Sequence, residues 1–428
     1  MRNRPLTLLA LTASFALVLT ACGRDEGGGD DPGGGDETGA EVDTANVTGE
    51  IEVWAMGTEG ELLPDLAAEF EAAHEGVTVN VTPIPWDSAY DKFANAITAG
   101  TTPDVGMIGT TWMGQFATLD ALDPAPGSID SSIFFSGAQS TTEVGGTAYA
   151  VPWYVETRLV YYRTDLAEQA GYTEIPTDWD EFKEFAAAMQ SEAGADWGIG
   201  LQPGATGSWQ SIVPFGWTAG AVIATEDAYT FNTPEMLEAV SYYQSYFTDG
   251  ISNPNPPEGQ TEADFVSGAV PMFISGPWMR GLVEAQGGEG FEDMYDVAPI
   301  PWPEGGSSSS FVGGSNLGVF AGTDNRDTSW AFVQWLLEPD VQVQWYEMSS
   351  DLPSVQAAWD DESLSSDEKL AAFGTQLETA QAPPSFPTWE EVVTGFDAGM
   401  EQVMKADADP ETVLEDVQSQ ADSIGTGQ

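Results

Sequence analysis

The chain has 428 residues, 42% of them hydrophobic, more than one compact core accommodates, so two or three domains are expected. Lys and Arg number 11 against 69 Asp and Glu, a formal net charge of −58, which argues against nucleic acid because a phosphate backbone would be repelled. The acid is spread along the chain like a solvated acidic surface and points to no particular ligand.

In chain order, Arg2 and Arg4 form a positive n-region, and Leu6 to Leu19 an apolar stretch too short to span a membrane comfortably. Leu19–Thr20–Ala21–Cys22 resembles a bacterial lipobox, which implies that 1–21 is a lipoprotein signal peptide and that Cys22 carries lipid. Cys22 is the only cysteine, so no disulfide, thiolate nucleophile or Cys metal site is available. Residues 22–48 are Gly- and Asp-rich and read as a disordered tether.

Ile51–Met56 reads as a strand, and Leu63, Leu66, Phe70 and Ala73 as the inner face of a helix ending near Gly76. Val77–Val81 is a second strand, and Asp87 or Ser88 caps a second helix. Pro103–Gly109 is a third strand, followed by Thr110–Thr111–Trp112 at a helix start. This β-α-β-α-β order predicts a parallel sheet flanked by helices, with ligands beyond the carboxyl ends of its strands.

Tyr149–Arg163 joins two extended runs through Pro152 and carries Trp153, Tyr154, Glu156 and Arg158. Proline suits a strand end or crossover rather than a central strand. The β-α pattern then restarts. A helix opens at Thr177–Asp180, Trp197–Leu201 reads as a strand, 202–220 as loop, and Thr233–Pro234 opens a further helix. Strands follow at Val270–Ile274 and Asp296–Ile300, and Phe311–Phe320 forms a second crossing around Gly313–Asn316. Helices close the chain at 327–337, 339–348, 354–373, 388–405 and 410–423. The chain is thus expected to cross between two α/β lobes near 150–156, 311–318 and 350.

Taken together, Glu52–Met56, Pro103–Val105, Tyr149–Tyr154, Phe265–Phe273, Ser275–Trp278 and Gly313–Leu317 resemble the solute-binding proteins of bacterial ABC importers, in the carbohydrate group related to maltose- and trehalose-binding proteins. The resemblance covers about 49–423. It implies an α/β, two-lobe periplasmic-binding-protein-like fold, each lobe a mostly parallel sheet flanked by helices, with the ligand cleft at a multi-strand hinge. The lobes would be 49–150 with 318–352, and 151–317 with 353–428. It further implies a monomeric binding protein without catalysis, cofactor or metal, lipid-anchored on the extracellular face of the membrane, that closes on a sugar and delivers it to permease subunits.

A sugar offers C–H faces to flat rings and hydroxyls to carboxylates, amides and guanidinium groups. Fifteen Trp is high for this length. Strand-end positions put Glu59, Trp86, Asp87, Thr110, Thr111 and Trp112 forward as ligand-binding residues, with Trp153, Tyr154, Glu156 and Arg158 on the linker. Trp209, Trp217 and Trp389 are loop-end candidates. By resemblance, Tyr154 and Glu156 stand where relatives have Tyr and Asp, Trp278 where a stacking Trp is common, and Gly314, Ser315 and Asn316 on the crossing strand. Glu156 and Arg158 either pair with each other or reach ligand. Three departures leave the sugar open: Thr110–Thr111 replace an Asp, Ser354–Val355 replace an Arg, and Glu156 is a methylene longer than Asp.

The rivals are a secreted lipoprotein glycoside hydrolase, which needs two suitably spaced carboxylates, and a binder of a polyol phosphate or polyamine. His74 is the only histidine and sits at a helix end, so a Ser-His-Asp triad or His-based zinc site is not supported.

Overall fold

The computed structural model describes residues 39–204 and 207–428. The expected signal peptide, Cys22 and most of the expected tether lie outside them. Residues 39–48 do not hang free as expected. Gly39 N–H donates to the Ala125 carbonyl at 2.8 Å, Arg326 holds the Ala40 carbonyl at 2.9 Å, and Val47 is buried. Among the described residues no helix is long and apolar enough to cross a membrane.

The larger sheet contains β1 (Gly49–Met56), β2 (Val77–Ile84), β3 (Val105–Gly109), β4 (Val151–Thr157), β8 (Ser310–Val319) and β9 (Leu352–Pro353). Their order is β9-β4-β8-β3-β1-β2. β1 pairs in parallel with β2 on one side and β3 on the other, the helices Gly57–Ala73 and Trp86–Ala99 carrying the chain back so that all three strands run the same way. β8 runs antiparallel to both β3 and β4. A first core gathers Ile51, Val53, Phe70, Phe93, Phe116, Trp330 and Trp345 around this sheet.

The smaller sheet, β5 (Leu159–Arg163), β6 (Met272–Ser275) and β7 (Tyr295–Ala298), has the order β6-β5-β7. Both pairings are antiparallel, where mostly parallel strands were expected. The long connection from β5 to β6 carries several helices and reverses direction, whereas β6 returns through the single α-helix Met279–Gly287 to β7, which runs the same way on the other side of β5. Side chains alternate across β5: Val160 enters a core with Phe182, Ile212, Tyr243 and Trp389, and Leu159 and Tyr161 enter another with Phe273, Tyr295 and Phe373. Burial on both faces explains the unbroken apolar run Leu159–Tyr162.

The crossings lie side by side. β4 sits between β8 and β9, with Ser315 opposite Tyr154, Gly313 opposite Glu156, and Pro353 opposite Tyr154. Only Arg158 separates β4 of the large sheet from β5 of the small one. Ser310 Oγ grips that residue from both sides, accepting from its N–H at 3.1 Å and donating to its carbonyl at 2.9 Å. Pro152 is the second residue of β4, at the start of the crossing strand as expected. The register slips between Ser315 and Asn316 beside it, which accommodates the residue that cannot donate. Gln342 ties β4, the residue after β9 and the end of the helix Arg326–Leu336 together from beneath. Its Nε2 donates to the Trp153 and Leu336 carbonyls at 2.9 Å each, and its Oε1 accepts from Ser354 N–H at 2.9 Å.

Three local expectations change. Residues 202–220 contain a helix, Trp209–Thr218, buried on every side and therefore without a visible period. Trp197–Leu201 is not a strand; Gly200 makes a single bridge to Phe273. The expected helix 354–373 breaks into Gln356–Asp360, Glu362–Ser365 and Glu368–Leu377, because Asp361 and Asp367 cap new starts by accepting from Ser363 and Lys369 N–H, each at 2.9 Å.

Candidate functional site

A cleft of about 410 Å³ opens where the crossing strands meet the strand ends of the first lobe and the loops of the second. From the first lobe come Glu59, in the first turn of Gly57–Ala73, Trp86 at the start of Trp86–Ala99, and Thr110, Thr111 and Trp112 in the turn after β3. β4 contributes Tyr154 and Glu156, which share a face at spacing two. The second lobe contributes Trp278, and β8 contributes Gly314. These are expected residues, and the structure brings them together.

Others it places elsewhere. Trp153 points to the opposite face of β4 from Tyr154 and stacks on Trp345 with centroids 4.5 Å apart, so it is core and not a wall of the cleft. Trp209, Trp217 and Trp389 are likewise buried in the second-lobe core, where Trp209 meets Trp389 edge-on at 5.0 Å. Glu390, beside Trp389, reaches the cleft rim instead through a hydrogen bond with Thr111, and burial pushes its carboxyl up. Ser315 Oγ donates to the Ile108 carbonyl at 3.0 Å. Asn316 is buried against Thr141, with Nδ2 to Oγ1 at 3.1 Å, on the face of β8 away from the cleft. Asp87 is exposed and does not line the cleft.

Arg158 stands behind the wall and connects it. Its Nη2 donates to Glu156 Oε1 at 3.2 Å and to Gln210 Oε1 at 2.9 Å, and its guanidinium lies 4.7 Å from the centroid of the Trp278 ring. Gln210, Pro277, Phe311, Gly313, Ser350, Asp351 and Leu352, with Gly109 and Val155, complete the lining and lie outside the expected ligand-binding set. Gln210 was lost because its helix read as loop. That helix is capped from far along the chain: Asp397 accepts from Trp209 N–H and Ser208 Oγ at 2.8 Å each. No local signal records such a cap. Asp351 follows a helix end in left-handed Ser350 and had no partner in sequence to mark it.

Glycines seat the walls. A Cβ on Gly276 would fall 1.9 Å from the Trp278 ring, one on Gly57 2.4 Å from Trp86 Nε1, and one on Gly313 2.6 Å from Glu156 Oε1. Trp278 and Trp86 each remain 42% exposed, unusual for tryptophan and suited to stacking.

Three carboxylates converge here. Tyr154 Oη donates to Glu59 Oε1 at 2.9 Å. Burial raises the Tyr154 hydroxyl well above its ordinary range, reinforced by Asp351 and Glu59, so it stays a donor. Burial raises Glu156 too, against the pull of Arg158. Asp351 is pushed up to about 8, first by burial and then by the Glu59 charge. The cleft therefore offers hydrogen-bond acceptors and a protonated acid between flat rings, without a nucleophile–histidine pair.

Residues 54–343 match the family model of bacterial extracellular solute-binding proteins. The chain belongs to that family. The sugar-binding protein MalE of Xanthomonas citri is 30% identical, covering 88% of this chain and 97% of its own, with a TM-score of 0.83. The GacH receptor of Streptomyces glaucescens, solved unliganded and with acarbose, is 26% identical, covering 88% and 98%, with a TM-score of 0.75. The galactooligosaccharide-binding protein of Bacillus subtilis is 23% identical over 431 residues, 96% of this chain and 94% of its own. These relatives are binding proteins, not enzymes, and the two-lobe α/β fold is theirs.

Proposed function

We propose that this solute-binding protein captures a neutral sugar between its lobes, is held at the outer face of the membrane by lipid on Cys22, and passes the sugar to the permease of an ABC importer. One observation carries the sugar reading: exposed indole faces from both lobes, Trp86 and Trp278, flank hydroxyl-accepting Glu59, Glu156 and Gln210 in one cleft. The sugar-binding relatives support it, and the Leu19–Cys22 lipobox supports the anchor.

A thermal-shift screen of mono- and oligosaccharides tests it. A matching sugar at 100 times Kd stabilises the folded state by about 2.7 kcal/mol. Trp278→Ala lowers that sugar's affinity about tenfold or more while the ligand-free melt stays put; unchanged affinity removes Trp278 from the site. The three cleft carboxylates favour, as a second reading, an amine-bearing ligand. Polyamines and polyol phosphates therefore belong in the screen, and a response to either without any sugar response overturns the sugar reading.

A further inference from the structure

A second chamber opens on the far side of Trp278. It holds about 510 Å³ against about 410 Å³ for the cleft, and Trp278 lines both. Each lies within the ~300–1,000 Å³ of small-molecule sites. Loops of the second lobe build it: the stretch 196–203 supplies Trp197 and Gln202, and the Pro-rich stretch after Ser252 supplies Asn253.

The chemistry of this chamber repeats that of the cleft. Trp197 is a half-buried ring, Gln202 is an exposed amide, and Asn253 is a half-buried one. Arg158 lines the chamber, and its Nε is buried without a hydrogen-bond partner, although its Nη2 is taken by Glu156 and Gln210. That Nε has no exposed surface and takes no part in contacts with a bound molecule; the polar groups the chamber itself offers are the Gln202 and Asn253 amides beside the Trp197 ring. An anionic ligand is disfavoured. Glu156 already offsets the guanidinium charge, and Asp196 and Asp264 also line the chamber. Sugar hydroxyls pair with the Gln202 and Asn253 amides without bringing charge.

We propose that the binding site has two chambers and takes a neutral oligosaccharide that passes over the edge of Trp278, one end in the cleft and the other against Trp197 and Asn253. This rests on the sugar reading above. Trp278 then stacks near the middle of the ligand, with Arg158 held against its ring by Glu156 and Gln210. A monosaccharide fills the cleft alone and forgoes the second set of contacts. Affinity therefore climbs with chain length.

The test is calorimetric titration of the full chain with three series from mono- to tetrasaccharide: maltodextrins, galactooligosaccharides and chitooligosaccharides. Wild type, Trp197→Ala, Trp197→Phe and Asn253→Ala are compared. In the series that binds, wild-type affinity rises about tenfold or more between the shortest and longest members. Trp197→Ala and Asn253→Ala flatten that rise, lowering affinity for the tetrasaccharide about tenfold more than for the shortest binder, and Trp197→Phe restores much of it. Melting midpoints show that the variants fold. Affinity independent of length in wild type, or losses equal at every length, overturns the second chamber and leaves the sugar reading standing. Binding of no sugar at all overturns both.

Discussion

Asp351→Asn tests the electrostatics of the cleft most directly. In the folded chain this carboxyl is pushed from 3.8 up to about 8 by burial and by Glu59. In the unfolded chain it ionises near its ordinary value. Between these limits the folded state keeps a proton that the unfolded state releases, so its contribution to stability is full below about pH 4 and is lost as pH rises through about 8. About four pKa units at about 1.36 kcal/mol each set a ceiling of ~5–6 kcal/mol. Asp351 lines an open cleft and keeps some water contact, so about half of that, ~2–3 kcal/mol, is expected. Asparagine retains an acceptor for Trp345 Nε1, now 3.2 Å away, and brings no charge. The variant should match wild type within ~0.5 kcal/mol at pH 4 and exceed it by ~2–3 kcal/mol at pH 9. For ~390 folded residues at ~2.1 cal/mol/K each, that is about 3 °C in melting midpoint. Calorimetry from pH 4 to 9 reads it, and the difference between the two proteins cancels the repulsion among the remaining acidic groups. Parallel curves across the range would refute the assignment.

Two further perturbations follow from the packing. Gly276→Ala puts a methyl where the Trp278 ring now lies and separates that ring from Arg158, so ligand affinity should fall about as far as in Trp278→Ala, about tenfold. The ligand-free melt should hardly move, since the ring is half exposed; a variant that binds normally shows that the ring is not held by that seat. Gln342→Leu removes four buried hydrogen bonds at the crossings and leaves the Trp153 carbonyl and Ser354 N–H without that partner, a loss of ~3–5 kcal/mol in urea unfolding. A change below ~1 kcal/mol would mean that water or neighbours take over those groups.

Much of the site was legible because strand ends can be counted in sequence. Glu59, Trp86 and Thr110–Trp112 each follow a strand whose alternation or β-α spacing was plain, and they line one cleft. Face assignment was harder. Trp153 and Tyr154 are neighbours, and a strand sends neighbours to opposite sides, so only one of them lines the cleft with its ring. Asn316 failed for the same reason, with a register slip added beside it. Gln210 was out of reach because a helix buried all round has no apolar stripe, and its cap, Asp397, comes from a distant part of the chain. The second sheet's strand directions depend on long connections that local pattern does not record.

The glycine seats give the cleft an unusual mutational signature. At Gly57, Gly276 and Gly313 the space beside the backbone is already filled by Trp86, Trp278 and Glu156. A saturation scan read out by ligand binding should therefore show these positions rejecting even alanine, while the rings above them tolerate exchange for other flat side chains. Specificity in this lineage can drift through the groups that face the ligand, such as Gln210 or Thr110, but not through the floor they stand on. The outline of the pocket is inherited as a set of missing side chains, and a new ligand has to be fitted to that outline.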